Sequence, residues 1–222
     1  MTPEVLLREM TYENDAQMEE AKRYIALKGI VQYQRVIEFC RSQDETPTYT
    51  QVSSMYRYDK RLRDNLYIYL ATAEEFMRTC IGNRFEDNES GLVKTKKFIA
   101  KQSQYHSVSL TLEQLTLGAL IEMVLNNRGV FVNHYDLSNI QTNLNALRVL
   151  RNKVGHHNFL FVETYANCIV NGAVGNSLEQ NIKNLQSFLP SDFKRGFATK
   201  INNCANDLEI NQIIEIKDGT NE

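Results

Sequence analysis

Residues 56–83, YRYDKRLRDNLYIYLATAEEFMRTCIGN, decide the fold. Apolar side chains recur there every three or four positions, in the set Leu62, Leu66, Tyr69, Leu70, Ala73, Met77 and Cys80. On an α-helix this spacing gathers the side chains on one face, which must be buried against other elements. The segment therefore predicts a long amphipathic helix, from about Tyr56 to Asn83, that contributes a continuous stripe to the core.

The rest of the chain also favours helices over a sheet. Only three prolines and ten glycines interrupt 222 residues, which leaves long stretches without a turn signal. We predict six further helices, four of them at about Asn14–Arg41, Leu92–Gln102, Ser177–Leu189 and Asp192–Asn206. The other two begin at cap signals: one runs from the capping-box pattern at Thr111–Gln114 to Asn127, and one runs from Asp136 to His157. A connector is expected at Asp44–Thr50. The expected architecture is an all-α bundle forming a single domain over residues 1–207.

The C-terminal tail, residues 208–222, alternates isoleucine with polar residues. This pattern is compatible with a short strand or with a frayed end.

The composition is that of an ordinary soluble globular protein, with 42% hydrophobic and 23% charged residues. We expect a cytoplasmic protein without a membrane contact, because no apolar run approaches the roughly 18 residues that span a bilayer and the N-terminus lacks a signal-peptide core. A net charge of −2 provides no general attraction for nucleic acid. Contact with RNA would need a local basic patch, and the clearest one is Lys94, Lys96, Lys97 and Lys101.

The cysteines and histidines do not predict a metal or cofactor site. Cys40, Cys80, Cys168 and Cys204 lie far apart and form no CxxC pair, which is typical of small packed side chains in a reducing compartment. His156 and His157 are adjacent, whereas metal-binding histidines on a helix stand three or four residues apart. We therefore expect neither a metal nor a cofactor.

A polar cluster, RNKVGHH at residues 151–157, ends the leucine-rich helix that follows Asp136. At about 100° per residue, Arg151 falls on the apolar arc of that helix, so its charge must be paired, or must face a cleft or a partner subunit. Asn152 and His156 are four residues apart, so the asparagine can orient the imidazole. Gly155 leaves open space beside Arg151. The alternative is a polar helix end, where histidines interact favourably with the helix dipole.

Three separated motifs resemble the Abi-like proteins (the AbiD/AbiF group) of bacterial abortive-infection systems over about residues 50–160. In that group a Y-x-Y/F-D-x-x-L-R segment leads into a helix with an E-x-x-x-R pair, and an R-N-x-x-x-H segment follows. The matching residues occur here in the same order: Tyr58, Asp59, Leu62 and Arg63, then Glu74 and Arg78, then Arg151, Asn152 and His156. The last segment is one form of the R-x(4–6)-H signature of HEPN domains, which are all-α bundles and often metal-independent endoribonucleases.

The resemblance implies a HEPN-like bundle with additional N- and C-terminal helices, acting as an endoribonuclease in phage defence or toxin-like RNA cleavage. Arg151, Asn152 and His156 would be catalytic, with Glu74, Arg78 and His157 in support. HEPN nucleases pair two domains around a shared cleft, so one motif per chain implies a homodimer. A regulatory RNA or an antitoxin is a further expected partner of such a protein.

Several alternatives stay open at the level of the sequence. The domain could be a non-catalytic HEPN module that binds RNA, a nucleotide or a protein, and an accidental match would leave a structural or adaptor bundle. Glu74 and Arg78 could form only a surface i,i+4 pair, or Glu74 could reach Arg151 or His156 across the bundle. Asp59 and Arg63, also four residues apart, are expected to tie the start of their helix to a neighbouring element.

Overall fold

The computed structural model describes residues 2–43 and 46–218, and it confirms the all-α class. Within these residues, ten helices and one two-stranded hairpin follow in the order α1 Pro3–Leu7, α2 Asp15–Lys28, α3 Ile30–Arg41, α4 Tyr49–Phe85, α5 Lys96–Tyr105, α6 Val108–Glu113, α7 Leu117–Asn126, α8 Ile140–Gly155, β1 Cys168–Val170, β2 Ala173–Gly175, α9 Leu178–Ser187 and α10 Ser191–Asn202. None of the helices in this part of the chain combines the length and the apolar character needed to cross a bilayer.

Helix α4 is the centre of the bundle and contacts α2, α3 and α6–α10. Its predicted stripe is confirmed: Leu62, Leu66, Leu70, Ala73 and Met77 are buried, and the two other members are half-buried. The helix begins at Tyr49 instead of Tyr56, because Thr48, which was predicted to lie in the connector, forms a capping box with Gln51. Two residues of that predicted connector, Asp44 and Glu45, lie outside the described residues.

The first predicted helix is two helices. Asn14 caps α2 by accepting the Gln17 N–H, as the predicted start requires. Gly29 then adopts a φ of +92°, a conformation that favours glycine and that ends α2 before α3 begins. The prediction of one continuous helix from Asn14 to Arg41 is therefore wrong at this glycine.

Two predicted helix caps are also wrong. Thr111 lies inside α6, where its hydroxyl donates to the Ser107 carbonyl, while Ser107 caps α6 and Thr116 caps α7. The Asp136 carboxylate accepts the Ser138 N–H in a local turn, and α8 begins only at Ile140. Short polar side chains form such local backbone hydrogen bonds outside helices as readily as they form caps.

The C-terminal segment is neither a strand nor a frayed end up to residue 218. It has no regular secondary structure from residue 211 to 218, contacts α4, α9 and α10, and buries Ile214 and Ile216. The Tyr58 hydroxyl accepts the Ile214 N–H at 3.0 Å, and the Asn202 side chain bonds both the N–H and the carbonyl of Ile216. The segment therefore covers the buried face of Tyr58 on α4.

The hairpin of β1 and β2 was not predicted. It is anchored to α8 by the Asn143 side chain, which donates to the Ile169 carbonyl and accepts the Ile169 N–H, each at 2.8 Å. Strands of three residues are too short for an alternating pattern to be recognised.

The four cysteines are free thiols. Cys168 and Cys204 are buried as predicted, whereas Cys40 and Cys80 are only half-buried. Burial raises the pKa of Cys40 and of Cys168 to about 11, so neither thiol is ionised near neutral pH.

A buried carboxylate ties α4 to the segment that follows α8. Asp59 accepts a hydrogen bond from Arg63 Nε at 2.7 Å and one from the Leu160 N–H at 2.8 Å. Burial raises the pKa of Asp59 to about 6, although Arg63 and the Leu160 N–H both act to lower it. This confirms the expectation that Asp59 and Arg63 connect their helix to a neighbouring element.

We expect Asp59→Ala to lower the free energy of unfolding by about 3 kcal/mol, because it leaves the Arg63 charge and the Leu160 N–H buried without an acceptor. Chemical denaturation followed by circular dichroism measures the change. Asp64→Ala is the matched control on the same helix: Asp64 pairs with Lys60 on the surface, so its loss should cost less than about 1 kcal/mol. Equal costs for the two variants would contradict the structural role of Asp59.

Candidate functional site

The polar cluster lies where α8 leaves the core. The predicted apolar arc of this helix is confirmed, since Ile140, Leu144, Leu147, Leu150 and Val154 are all buried. Arg151, Asn152 and His156 are exposed at the C-terminal end of the helix. Arg151 starts on the apolar arc, yet 45% of its side chain is exposed, because it extends past the edge of the packed face.

Helix α8 ends in a Schellman motif that explains the position of His157. The predicted helix reached His157, but α8 ends at Gly155, and the His157 and Asn158 N–H groups bond the carbonyls of Val154 and Lys153, each at 3.1 Å. His157 has a φ of +55°, in the left-handed region, and its carbonyl accepts the Gln32 side-chain amide at 3.2 Å. The role that the structure supports for His157 is therefore in the backbone turn.

Glu74 contacts two of the three arginines in the resemblance, Arg78 and Arg151. Its Oε1 lies 3.4 Å from Arg151 Nε, and its Oε2 lies 3.4 Å from Arg78 Nη2. Only 15% of the Glu74 side chain is exposed, so the carboxylate is fixed between α4 and α8. The sequence raised two possibilities for Glu74, an i,i+4 pair and a contact across the bundle. Both contacts are present.

Arg78 and Arg151 differ in what else they contact. Arg78 donates from Nε to the Leu112 carbonyl and from Nη2 to the Leu115 carbonyl, each at 3.2 Å, and so satisfies acceptors at the end of α6. Arg151 has no hydrogen bond other than the one to Glu74 within residues 2–43 and 46–218. Its two terminal nitrogens therefore remain available to an anionic group.

A cleft of about 150 Å³ lies between α4 and the end of α8. It is lined by Tyr67, Leu70, Ala71, Glu74, Arg78 and Arg151. Two guanidinium groups and one carboxylate leave the cleft with one net positive charge. Gly155 lies beside Arg151, but the guanidinium itself occupies the open space that the sequence suggested, because a Cβ at position 155 would lie 3.4 Å from Arg151 Nη1.

Asn152 and His156 are close in the chain but are not joined by their side chains. The His156 N–H bonds the Asn152 carbonyl at 2.9 Å, which is a backbone contact. Neither side chain has a hydrogen-bond partner within the described part of the protein, so the expected orientation of the imidazole by the asparagine amide is absent here. Both residues are exposed.

The four lysines of the basic patch lie elsewhere. They belong to α5 and the residues just before it, and α5 packs on α6 and α7. Lys94 pairs with Glu89, and Lys97 Nζ lies 3.7 Å from Glu122 Oε1. Lys96 and Lys97 line a second, more open depression, while Lys101 is exposed on α5. None of these lysines lines the Arg151 cleft.

Two residues at the site were missed by the sequence analysis. Tyr67 forms a wall of the cleft and is 60% exposed, but in sequence it is one more aromatic residue beside a core position. Glu163 pairs with both Lys153 and Arg35, and so fixes the end of α8 against α3. A lone glutamate in an irregular segment offers no pattern that would reveal this contact.

Comparisons of the chain with protein-family models, with curated proteins and with solved structures found no match. In the part of the chain that the structure describes, no group of three or more His, Cys, Asp or Glu side chains could hold a metal ion. The resemblance to Abi-like and HEPN proteins thus stays a prediction from three short motifs.

The two arginines should differ in their contribution to stability. We expect Arg78→Ala to cost about 1–3 kcal/mol, because two carbonyls lose their donor, whereas Arg151→Ala should cost less than about 1 kcal/mol as a half-exposed pair. Urea denaturation of both variants measures the difference. If Arg151→Ala were the more costly variant, Arg151 would be a structural residue and unsuited to bind a ligand.

His157 should tolerate glycine but not valine. His157→Gly removes the strain of a side chain at positive φ and is expected to change the unfolding free energy by 0 to about +1 kcal/mol. His157→Val places a β-branched residue in the same conformation and should cost about 1–3 kcal/mol. Thermal unfolding compares the two, and a large loss in the glycine variant would point instead to a role for the imidazole.

Proposed function

We propose that this protein is a metal-independent endoribonuclease of the HEPN type, with Arg151, Asn152 and His156 as its catalytic residues. The observation that carries the proposal is the state of Arg151. Glu74 holds its Nε, its two terminal nitrogens are unengaged within the described residues, and the exposed His156 follows on the same helix end. A cation held in this way is ready to bind a phosphate at a surface.

The chemistry uses two functions that these side chains can supply. The RNA 2′-hydroxyl attacks the adjacent phosphorus, His156 accepts its proton, and Arg151 stabilises the charge on the phosphorane-like transition state. The leaving 5′-oxygen takes a proton from the imidazolium of a second copy's His156, and the products carry a 2′,3′-cyclic phosphate and a 5′-hydroxyl. Asn152 supplies an amide that can bond a phosphate oxygen beside Arg151.

A homodimer would complete the site. One chain supplies one base and one guanidinium, whereas the reaction needs a base for the 2′-hydroxyl and an acid for the leaving oxygen. The exposure of Arg151, Asn152 and His156 supports a cleft shared by two copies related by a two-fold axis, with each copy contributing one motif. The HEPN-like arrangement of α4 and α8, and a role in phage defence or toxin-like RNA cleavage, belong to the same proposal.

A non-catalytic module that binds RNA, a nucleotide or a protein is the second candidate. The observation that favours it is the imidazole of His156, which no described side chain orients. Such a module would bind a phosphate through Arg151 without breaking a bond. The two functions therefore differ in product formation and agree in their dependence on Arg151.

We expect the wild-type protein to cleave RNA in the presence of EDTA and to leave cyclic-phosphate ends. His156→Ala should lower the cleavage rate by about 10²- to 10⁴-fold, the usual contribution of a general base. Arg151→Lys should also be impaired, since an ammonium group lacks the planar fork of the guanidinium. Gel electrophoresis of labelled single-stranded and structured RNA, with end-group analysis, measures both.

His157→Gly is the matched control, because it alters the neighbouring histidine without touching the proposed chemistry and should keep the wild-type rate. Cleavage at the wild-type rate by His156→Ala would reject this active site. RNA binding that depends on Arg151 without any cleavage by the wild type would favour the non-catalytic module.

A further inference from the structure

One residue that lines the Arg151 cleft is an exposed tyrosine. Tyr67 is 60% exposed, and no ring among the described residues packs against it. Four other aromatic residues of α4 pack on a ring: Tyr56 stacks on Tyr33, Tyr58 packs on Phe161, Tyr69 contacts Phe197 and Phe76 contacts His134. Tyr67 is thus a large apolar surface left in water beside a charged cleft.

The cleft combines three kinds of surface in one small volume. Tyr67 supplies a flat aromatic face, Leu70 and Ala71 supply an apolar floor, and Arg151 supplies free N–H donors at the rim. An inorganic anion would use only the guanidinium, and an aliphatic side chain would use only the floor. A ligand that is flat, partly apolar and linked to a negative charge matches all three.

We infer that this cleft binds one unpaired nucleobase of single-stranded RNA, with the base stacked on Tyr67 and its flanking phosphate held by Arg151. Aromatic side chains recognise single strands in this way, because every base has a π-face and an unpaired base can leave the stack of its neighbours. The inference rests on the proposed function for the identity of the nucleic acid, and it deepens that function by naming the substrate as single-stranded.

The position of Tyr67 relative to Arg151 sets the order of contacts. Tyr67 and Glu74 are seven residues apart on α4, which places them about two turns apart on the same side of the helix. Because Glu74 holds Arg151, and Tyr67 and Arg151 both line the cleft, the ring and the guanidinium face one small volume. A base on the ring therefore leaves its phosphate next to the guanidinium.

A binding measurement on the full chain tests the inference. The probe is a fluorescein-labelled RNA of mixed sequence, about 12 nucleotides long, and its fluorescence anisotropy is measured in EDTA with protein that carries His156→Ala to prevent cleavage. We expect Tyr67→Ala to weaken binding by roughly 5- to 100-fold, the range for the loss of one stacked base. The same RNA annealed to its complement should show no dependence on Tyr67, since its bases are already paired.

Two variants serve as controls. Tyr67→Phe keeps the ring without its hydroxyl and should bind within about twofold of the parent. Phe193→Ala removes another exposed aromatic side chain, on α10, and should also bind within about twofold. Unchanged binding by Tyr67→Ala, an equal loss with Phe193→Ala, or no binding of the RNA by the parent protein would each overturn the inference.

The neighbouring Ile68 is also 60% exposed, so a second copy of the chain could cover Tyr67 instead. Light scattering of the same samples distinguishes the two occupants: loss of an oligomer in Tyr67→Ala would assign the ring to a protein contact and overturn the base site. The cleavage assay is read separately. Tyr67-dependent binding without cleavage leaves the inference standing while the nuclease fails, and cleavage that is indifferent to Tyr67 does the reverse.

Discussion

The position of the candidate site depends on one buried carboxylate. Asp59 accepts hydrogen bonds from Arg63 on its own helix and from the backbone of Leu160, which lies just after α8. A buried carboxylate is tolerated only where such donors surround it. The Leu160 N–H must therefore lie beside Asp59, which fixes the path of the chain after α8. Phe159 and Leu160 are buried, whereas residues 155–157 of the preceding turn are exposed. The exposed Arg151, Asn152 and His156 thus lie directly before a segment that is anchored in the core.

The second constraint is that Arg78 and Arg151, the two arginines that contact Glu74, differ in their other contacts. One oxygen of this carboxylate faces Arg78, which is also bound to the end of α6, and the other faces Arg151, which is bound to nothing else that the structure describes. Arg78 is therefore immobilised by three acceptors and belongs to the framework. Arg151 is oriented by a single contact at the solvent boundary, and its two terminal nitrogens have no partner among the described residues. An i,i+4 pair that looks like a surface detail in the sequence thus connects the core to the rim of the cleft.

Much of the fold was accessible from the sequence because it rests on periodicity. The stripe of α4 and the apolar arc of α8 are long repeats, and burial of one face leaves a helix little choice. The boundaries were less accessible: Thr111 and Asp136 have the chemistry of caps but bond other backbone groups, and Gly29 breaks a helix that its neighbours would continue. At the site, the sequence indicated that the charge of Arg151 must be paired, or must face a cleft or a partner subunit. It left two contacts open for Glu74: Arg78 on the same helix, or Arg151 or His156 across the bundle. The contact of Glu163 with Lys153 and the open ring of Tyr67 depend on how distant elements meet, which no local pattern contains.

The motifs that prompted the resemblance separate into a buried group, an exposed group, and the half-buried pair of Glu74 and Arg78. Tyr58, Asp59, Leu62 and Arg63 are all buried, and their contacts fix α4 against the C-terminal segment and the end of α8. Arg151, Asn152 and His156 are all exposed at the end of α8. A Schellman motif ends this helix at Gly155, directly after its last buried residue, Val154. A motif whose residues are buried can be explained by packing alone, whereas an exposed arginine, asparagine and histidine on one helix end contribute nothing to packing. Glu74 connects the exposed group to α4, so the buried group holds α4 and the end of α8 together, and the exposed Arg151 lines a cleft whose other lining residues come from α4.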